Sequence, residues 1–198
     1  MMSFDERVFH AVYGGASAGG PLFGLMVALT VVGSGWSMLL FLPLLLRPAT
    51  RRFGATLLLT LAVASVLVFL VKVGVQRPRP FACITGVHAI CFAGPTDPSF
   101  PSGHAAGGFA FATFVGTWLT RQSFRPSRRL LGLAVLAALA FGIALSRVYL
   151  GVHFPSDVTV GGVLGATVGA VGARLAYPKA GLSQRNPLVL ASGQGPDS

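Results

Sequence analysis

The sequence predicts an all-α fold: a polytopic membrane bundle of six transmembrane helices. Three observations predict it. Of 198 residues, 53% are hydrophobic and 10% charged, and the mean hydropathy is +0.73. Soluble domains carry about 25% charged residues. The apolar residues fall in long uncharged runs, and the 26 glycines suit close helix approach in lipid. The length implies one domain. We expect a transmembrane domain over 1–177, with an N-terminal interfacial helix within 1–19 and an outer loop at 81–101, then a flexible tail at 178–198.

Residues 3–13, SFDERVFHAVY, place Phe4, Val8, Val12 and Tyr13 mostly on one side. This reads as a helix lying at the interface, although Asp5 interrupts the pattern. From Val8 to Leu46 no residue is formally charged. That is too long for one span, and GSGWS at Gly33–Ser37 divides it into helices near 20–33 and 36–46. It is also too long for a cleaved signal peptide, and no cleavage site follows it. Four further spans are expected at Phe53–Val71, Pro98–Thr120, Leu130–Ser146 and Val158–Ala173. A crossing needs roughly 20 residues, so the last two should extend beyond these limits or tilt little.

The net charge is +10, from 15 Lys and Arg against 5 Asp and Glu. Nucleic acid is not the partner this implies, because the basic residues lie between apolar runs and form no polar face. Arg7, Arg47, Arg51, Arg52, Arg121, Arg125, Arg128, Arg129, Arg174, Lys179 and Arg185 all fall on one side of a six-span topology. The positive-inside rule makes that side cytoplasmic. Both termini then face the cytoplasm, and the protein is multi-pass in the cell inner (plasma) membrane. Lys72, Arg77, Arg79 and Arg147 fall on the outer side. Each stands at a helix end beside other polar groups, where ionisable residues are functional candidates.

These residues belong to three motifs. In KVGVQRPRP, Lys72 to Pro80, Pro78 and Pro80 oppose a continued helix. Lys72 and Arg79 read as a functional pair, and Arg77 as a cation snorkelling to lipid headgroups. In PSGH, Ser102 can cap a helix and Gly103 permits close backbone approach to a ligand. The helix N-terminus that follows suits an anion, and His104 stands at its start. In SRVYLGVHFPSD, Ser146 to Asp157, a helix would stack His153 on Asp157 four residues later, and Pro155 suits its first turn. An Asp beside a His fixes the ring tautomer. All three motifs reach the same face. No cluster of carboxylates or cysteines offers a metal site, so the cations suit a bound phosphate. The two histidines suit a nucleophile and a proton donor.

The three motifs resemble the signatures of the type 2 phosphatidic acid phosphatase superfamily, whose site is related to that of vanadium haloperoxidases. The pattern is K, six residues, RP; then PSGH; then SR, five residues, H, three residues, D. Lys72, Arg79–Pro80, Pro101–His104, Ser146–Arg147, His153 and Asp157 fit it without a gap. The resemblance covers spans three to six closely. It implies an acid phosphatase/vanadium haloperoxidase-like core and a phosphatase with neither metal nor cofactor. It implies that His153 attacks phosphorus and forms a phosphohistidine, with Asp157 orienting it, and that His104 protonates the leaving oxygen. Lys72, Arg79, Arg147, Ser102 and the Gly103 N–H would form the phosphate cradle.

The loop FACITGVHAICFAGPTDPSF, 81–100, holds both cysteines. A Cys83–Cys91 disulfide is expected if the loop faces an oxidising compartment, with two buried apolar thiols as the alternative. His88 reads as an ordinary loop residue. The substrate expected is a lipid phosphate whose tail stays in the bilayer. Polyprenyl diphosphate leads, with phosphatidylglycerophosphate, phosphatidic acid and lipid A phosphates as rivals. A lipid phosphotransferase is the alternative within the same chemistry, and a transporter or anion channel the alternative outside it.

Overall fold

Proline opens five of the helices, where its missing N–H costs nothing and its fixed φ suits the first turn. The computed structural model describes residues 2–15, 19–90 and 94–178. Its helices are α1 (Phe4–Val12), α2 (Pro21–Val32), a 3₁₀ helix (Gly35–Leu45), α3 (Pro48–Val75), α4 (Pro80–Cys83), α5 (Gly103–Leu119), α6 (Pro126–Tyr149) and α7 (Pro155–Ala176). No strand occurs among the described residues. The tail expected at 178–198 lies outside them except for Pro178.

Three segments are long and apolar enough to cross a membrane: Pro48–Cys83, Pro126–Tyr149 and Pro155–Ala176. A fourth is the pair Pro21–Val32 and Gly35–Leu45, bent by 53° at the expected GSGWS break. Their outward faces are apolar and exposed, as at Leu59, Val66 and Phe69 on α3 and Phe141 on α6. Such faces are unfavourable in water and suit lipid. The protein is an all-helical multi-pass membrane protein.

α5 and α7 form the most extensive helix pair, and glycine explains it. Gly161, Gly165 and Gly169 recur every fourth residue on α7 and abut the backbone carbonyls of Ser102, Ala106 and Ala110 on α5. Small residues at this spacing let two backbones touch, which drives association in lipid where apolar burial cannot. A Cβ at Gly165 would collide with the Ala106 carbonyl, and backbone cannot swing aside as a flexible side chain can. Gly165→Leu is therefore expected to destabilise the fold by at least about 1–3 kcal/mol, read as a lower midpoint of thermal unfolding in detergent. Beside this seam, Leu57, Leu61, Ala64, Ala110, Phe114 and Ala173 form a buried cluster.

The two ends of the bundle are distinct. At one end Arg52 Nη2 donates to Ala176 O at 2.8 Å, and Thr50 Oγ1 donates to Leu44 O at 2.9 Å. At the other end α1 docks: its Phe9 is buried with Val87, Val148 and Phe154, and Ser156 N donates to Asp5 Oδ1 at 2.9 Å. α1 and the end of α7 thus lie at opposite ends of the bundle. Hydrophobic runs alone could not reveal this, because α2 and the 3₁₀ helix together run from one end to the other. Met26 packs against Tyr149 and Leu150 at the α1 end, whereas Leu44 lies against Gly54 at the far end.

Candidate active site

The three motifs meet at the end where α1 docks. Lys72 sits in the last turn of α3 and is buried. Gln76 then adopts a left-handed conformation, φ 50°, and turns the chain out of the helix. Pro78 and Pro80 carry it on to α4, as the sequence led us to expect. Arg79 is buried and lies at the centre of the cluster. Its Nε donates to Asp97 O at 2.8 Å, and its Nη1 to Val152 O at 2.8 Å and to His153 Nε2 at 3.2 Å. Its Nη2 is paired with Asp97 Oδ1 at 2.9 Å.

Ser102 caps α5 as expected: its hydroxyl accepts from Ala105 N at 3.4 Å. Its own N–H donates to Asp157 O at 3.0 Å and so ties α5 to α7. Gly103 opens the helix and is exposed, and His104 follows it, half-buried. His104 lies within electrostatic reach of Arg147, His153, Arg79 and Lys72. Arg147 is buried in the last turn of α6, where Nη1 donates to Thr30 Oγ1 at 2.6 Å. Its carbonyl accepts from Val152 N and His153 N, folding the chain back at Gly151, φ 78°.

His153 does not stand on α7, as helical stacking on Asp157 would require. It lies two residues before the helix, because Phe154 is extended and Pro155 begins it. The contact to Asp157 is made all the same. Asp157 is completely buried and its Oδ2 accepts from Phe154 N at 2.8 Å. The same oxygen lies 3.4 Å from His153 Nδ1 and accepts from Ser99 Oγ. Ser99 Oγ is also 3.4 Å from His153 Nδ1. A guanidinium can only donate, so the bond from Arg79 requires an unprotonated Nε2 on His153. The ring proton then belongs on Nδ1, facing Asp157. Burial, followed by the cations Arg79 and Arg147, pushes the His153 pKa down to about 4 against the opposing pull of Asp157. The ring is neutral near pH 7, with its lone pair aimed into the cluster.

The roles of three residues were not anticipated. Asp97 bridges two cations, with Oδ2 2.6 Å from Lys72 Nζ and Oδ1 on Arg79. Lys72 Nζ also donates to Pro98 O. Burial works to raise the Asp97 carboxyl, but the bonds and charges of Lys72 and Arg79 outweigh it and hold it below the usual range. Ser99 is the second. Only the proximity of both to PSGH could have marked them. The third is Arg77, which does not snorkel. Its Nη1 donates to Asp157 Oδ1 and to Ser156 Oγ, each at 2.6 Å, and its Nη2 to Asp5 Oδ2 at 2.6 Å. Its guanidinium lies 4.2 Å over the Phe154 ring. Of the expected disulfide, Cys83 carries a free thiol 3.2 Å from Arg79 O, and Cys91 lies outside the described residues. The backbone N–H and C=O of His88 bond the Tyr13 hydroxyl.

An apolar cavity of about 360 Å³ adjoins this cluster. Gly103 and His104 stand at its polar end. Gly35, Met38, Phe41, Val68, Gly107 and Leu139 line its length, drawn from the 3₁₀ helix, α3, α5 and α6.

Residues 53–180 match the PAP2 superfamily. The chain is 37% identical over 137 residues to a decaprenylphosphoryl-5-phosphoribose phosphatase of Mycobacterium tuberculosis, covering 69% of each chain. It is 32% identical over 148 residues to an undecaprenyl-diphosphatase of Sulfolobus acidocaldarius, covering 74% of this chain and 67% of that one. The crystal structure of LpxE from Aquifex aeolicus superposes with a TM-score of 0.69 at 27% identity, over 87% of this chain and 96% of that one. The matched stretch holds all three motifs and the helices that bring them together, and the chain belongs to the PAP2 superfamily.

Proposed function

We propose that this membrane phosphatase cleaves a phosphate or diphosphate ester of a lipid through a phosphohistidine, without a metal ion. The observation that carries the reading is the gathering of Lys72, Arg79, Arg147 and His153 around His104, with Arg79 bonded to Nε2 of the buried, neutral His153 ring. Three cations suit the charge that a transferring phosphoryl group spreads over its equatorial oxygens. The N-terminus of α5, capped by Ser102 with Gly103 at its first position, adds N–H donors. His153 Nε2 attacks phosphorus, the P–O bond to the leaving group breaks, and His104 gives its proton to the departing oxygen. Water then attacks the phosphorus and gives a proton to His104, the P–Nε2 bond breaks, and phosphate and the neutral His153 ring are released. Asp157 holds the Nδ1 proton and favours the positive ring that forms in between.

The cavity supports a lipid substrate. A phosphate in the cradle leaves its ester oxygen toward His104, and the cavity below offers apolar walls for the attached chain. Two of the relatives named above are a decaprenylphosphoryl-5-phosphoribose phosphatase and an undecaprenyl-diphosphatase, and a polyprenyl diphosphate is the substrate we favour. A Cβ on Gly107 would meet nothing within 4 Å, so a side chain there enters the cavity without disturbing the bundle. Gly107→Leu is expected to raise KM for a polyprenyl substrate about tenfold or more, the loss of one to two apolar contacts' worth of binding. Hydrolysis of a water-soluble short-chain phosphate should change by less than twofold.

The phosphate must share or replace the Asp97 carboxylate on Lys72 and Arg79. Asp97 is more than half exposed, and such pairs contribute up to about 1 kcal/mol. Asp97→Asn is expected to lower KM by up to about fivefold with kcat little changed.

The membrane arrangement follows from the two ends. α2 spans about 18 Å at 1.5 Å per residue and the 3₁₀ helix about 22 Å at 2.0 Å per residue. Together they exceed the roughly 30 Å hydrocarbon core, so we read them as one broken crossing. With α3, α5, α6 and α7 this makes five crossings in place of six. Arg47, Arg51, Arg52, Arg121, Arg125, Arg128, Arg129 and Arg174 gather at the end away from the site. That end is cytoplasmic by the positive-inside rule, so the site and α1 face outward, across an inner or plasma membrane. Residues 1–177 act as one domain. Phosphate release from a panel of lipid phosphates by purified protein, with chelator and vanadate arms, tests the reading. Release that vanadate stops and a chelator does not is the expected result. Loss on chelation, or no release without an acceptor lipid, would replace it with a metal enzyme or a phosphotransferase.

A further inference from the structure

We propose that Arg77 and Asp5 are positioning residues for the Asp157–His153 pair, so that α1 is part of the catalytic apparatus. The inference rests on the reading of His153 as nucleophile. Asp157 divides its oxygens between two partners. Oδ2 serves His153 Nδ1, Ser99 Oγ and Phe154 N, and Oδ1 is held by Arg77 Nη1 at 2.6 Å. Without Arg77 a completely buried carboxylate would lose its charged partner and the one donor on Oδ1, leaving Ser99 and the Phe154 N–H alone to hold its rotation. A buried carboxylate left short of a partner is costly.

The electrostatic role of Asp5 follows from the count of charges. Arg77 alone would cancel Asp157, and a cancelled carboxylate stabilises an imidazolium poorly. Asp5 Oδ2 binds the other terminal nitrogen of Arg77 at 2.6 Å and also accepts from Ser156 Oγ at 2.6 Å. Burial works to raise Asp5, but its bonds to Ser156 and Arg77 hold it below the usual carboxylate range. Two carboxylates flanking one guanidinium leave one net negative charge behind His153. Phe154 stacks under Arg77 and supports its plane.

Other charged groups face the same ring and set the background. They are Arg79 beyond α3, Arg147 on α6 and His104 on α5. Cys83 lies within reach of Arg77, Glu6 and Asp157. None of these would produce effects of opposite sign at Arg77 and Asp5. Removing the cation strengthens the pull of Asp157 on a proton at His153, whereas removing Asp5 weakens it.

The test is the pH profile of kcat/KM for the Arg77→Gln, Arg77→Lys and Asp5→Asn proteins and the Asp5→Asn/Arg77→Gln double variant, with folded protein quantified for each. Arg77→Gln should move the acid limb up by about one pH unit and lower kcat about tenfold or more, with KM within about twofold. Asp5→Asn should keep activity further into acid while kcat falls several-fold. The double variant should return the limb toward its original position. Arg77→Lys should restore the limb but not kcat, because it lacks the fork. If Arg77→Gln does not fold, the Asp5→Asn and Arg77→Lys profiles decide. Limbs that stay fixed, or that move the same way in both single variants, would overturn the proposal. A His153→Ala control separates the two levels. If it stays active the nucleophile reading fails, and if it is inactive while the limbs are unmoved only this inference fails.

Discussion

His153→Ala should lower kcat by a factor on the order of 10⁴ or more, with the protein still folded. The imidazole is 2% exposed, so alanine leaves a cavity, but its loss is local: the His153 backbone N–H to Arg147 O bond remains. Phosphate binding should survive, since Lys72, Arg79 and Arg147 are untouched. Vanadate or product affinity should therefore fall far less than kcat. That split separates a lost nucleophile from a collapsed site, because collapse would remove both together. A polar substitute such as His153→Gln keeps a donor near Asp157 and should be equally inactive, since an amide cannot accept a phosphoryl group and release it to water.

Arg79→Lys is expected to cost about 10²–10³-fold in kcat, although the charge is kept. Arg79 makes five contacts at once: Asp97 O, Asp97 Oδ1, Pro98 O, Val152 O and His153 Nε2. A planar guanidinium spans these directions and a single ammonium does not. Two of the contacts join the 94–99 segment to the loop carrying His153, so lysine would also loosen the position of the nucleophile. The loss should therefore fall mainly in kcat, with a smaller rise in KM. Arg77→Lys offers the comparison: it alters a cation that touches no substrate and should leave KM alone.

The juxtaposition of the candidate site residues was legible because its spacing is encoded within short segments. PSGH and the interval from Arg147 to Asp157 each fold locally, so Ser102 capping α5 and Asp157 beside His153 follow from neighbours in the chain. Helix ends were less legible. An uncharged run stops at the first charge, whereas α3 begins before Arg51 and Arg52, and α6 includes Arg128 and Arg129. Those residues sit past the apolar core, where a helix continues into the headgroup region. The break at Gly33–Ser37 was visible, but composition could not decide between two crossings and one bent crossing. The side on which α1 docks was not legible either. It depends on Asp5 meeting Arg77 and Ser156, contacts across 72 and 151 residues. Asp5 looked like a flaw in an amphipathic pattern, and Arg77 like a spare cation, because each makes sense only when the other is in place. The glycine count pointed only to close helix approach, and the structure adds that Gly161, Gly165 and Gly169 make it against α5.

The most direct test of the central claim is to quench the enzyme within its first turnover on a ³²P-labelled lipid phosphate and locate the label. We predict an alkali-stable, acid-labile phosphoryl group on the peptide containing His153, absent from the His153→Ala protein and still formed when a chelator is present. Label recovered on another residue, or full-rate hydrolysis with no trapped phosphoenzyme at any quench time, would contradict the account.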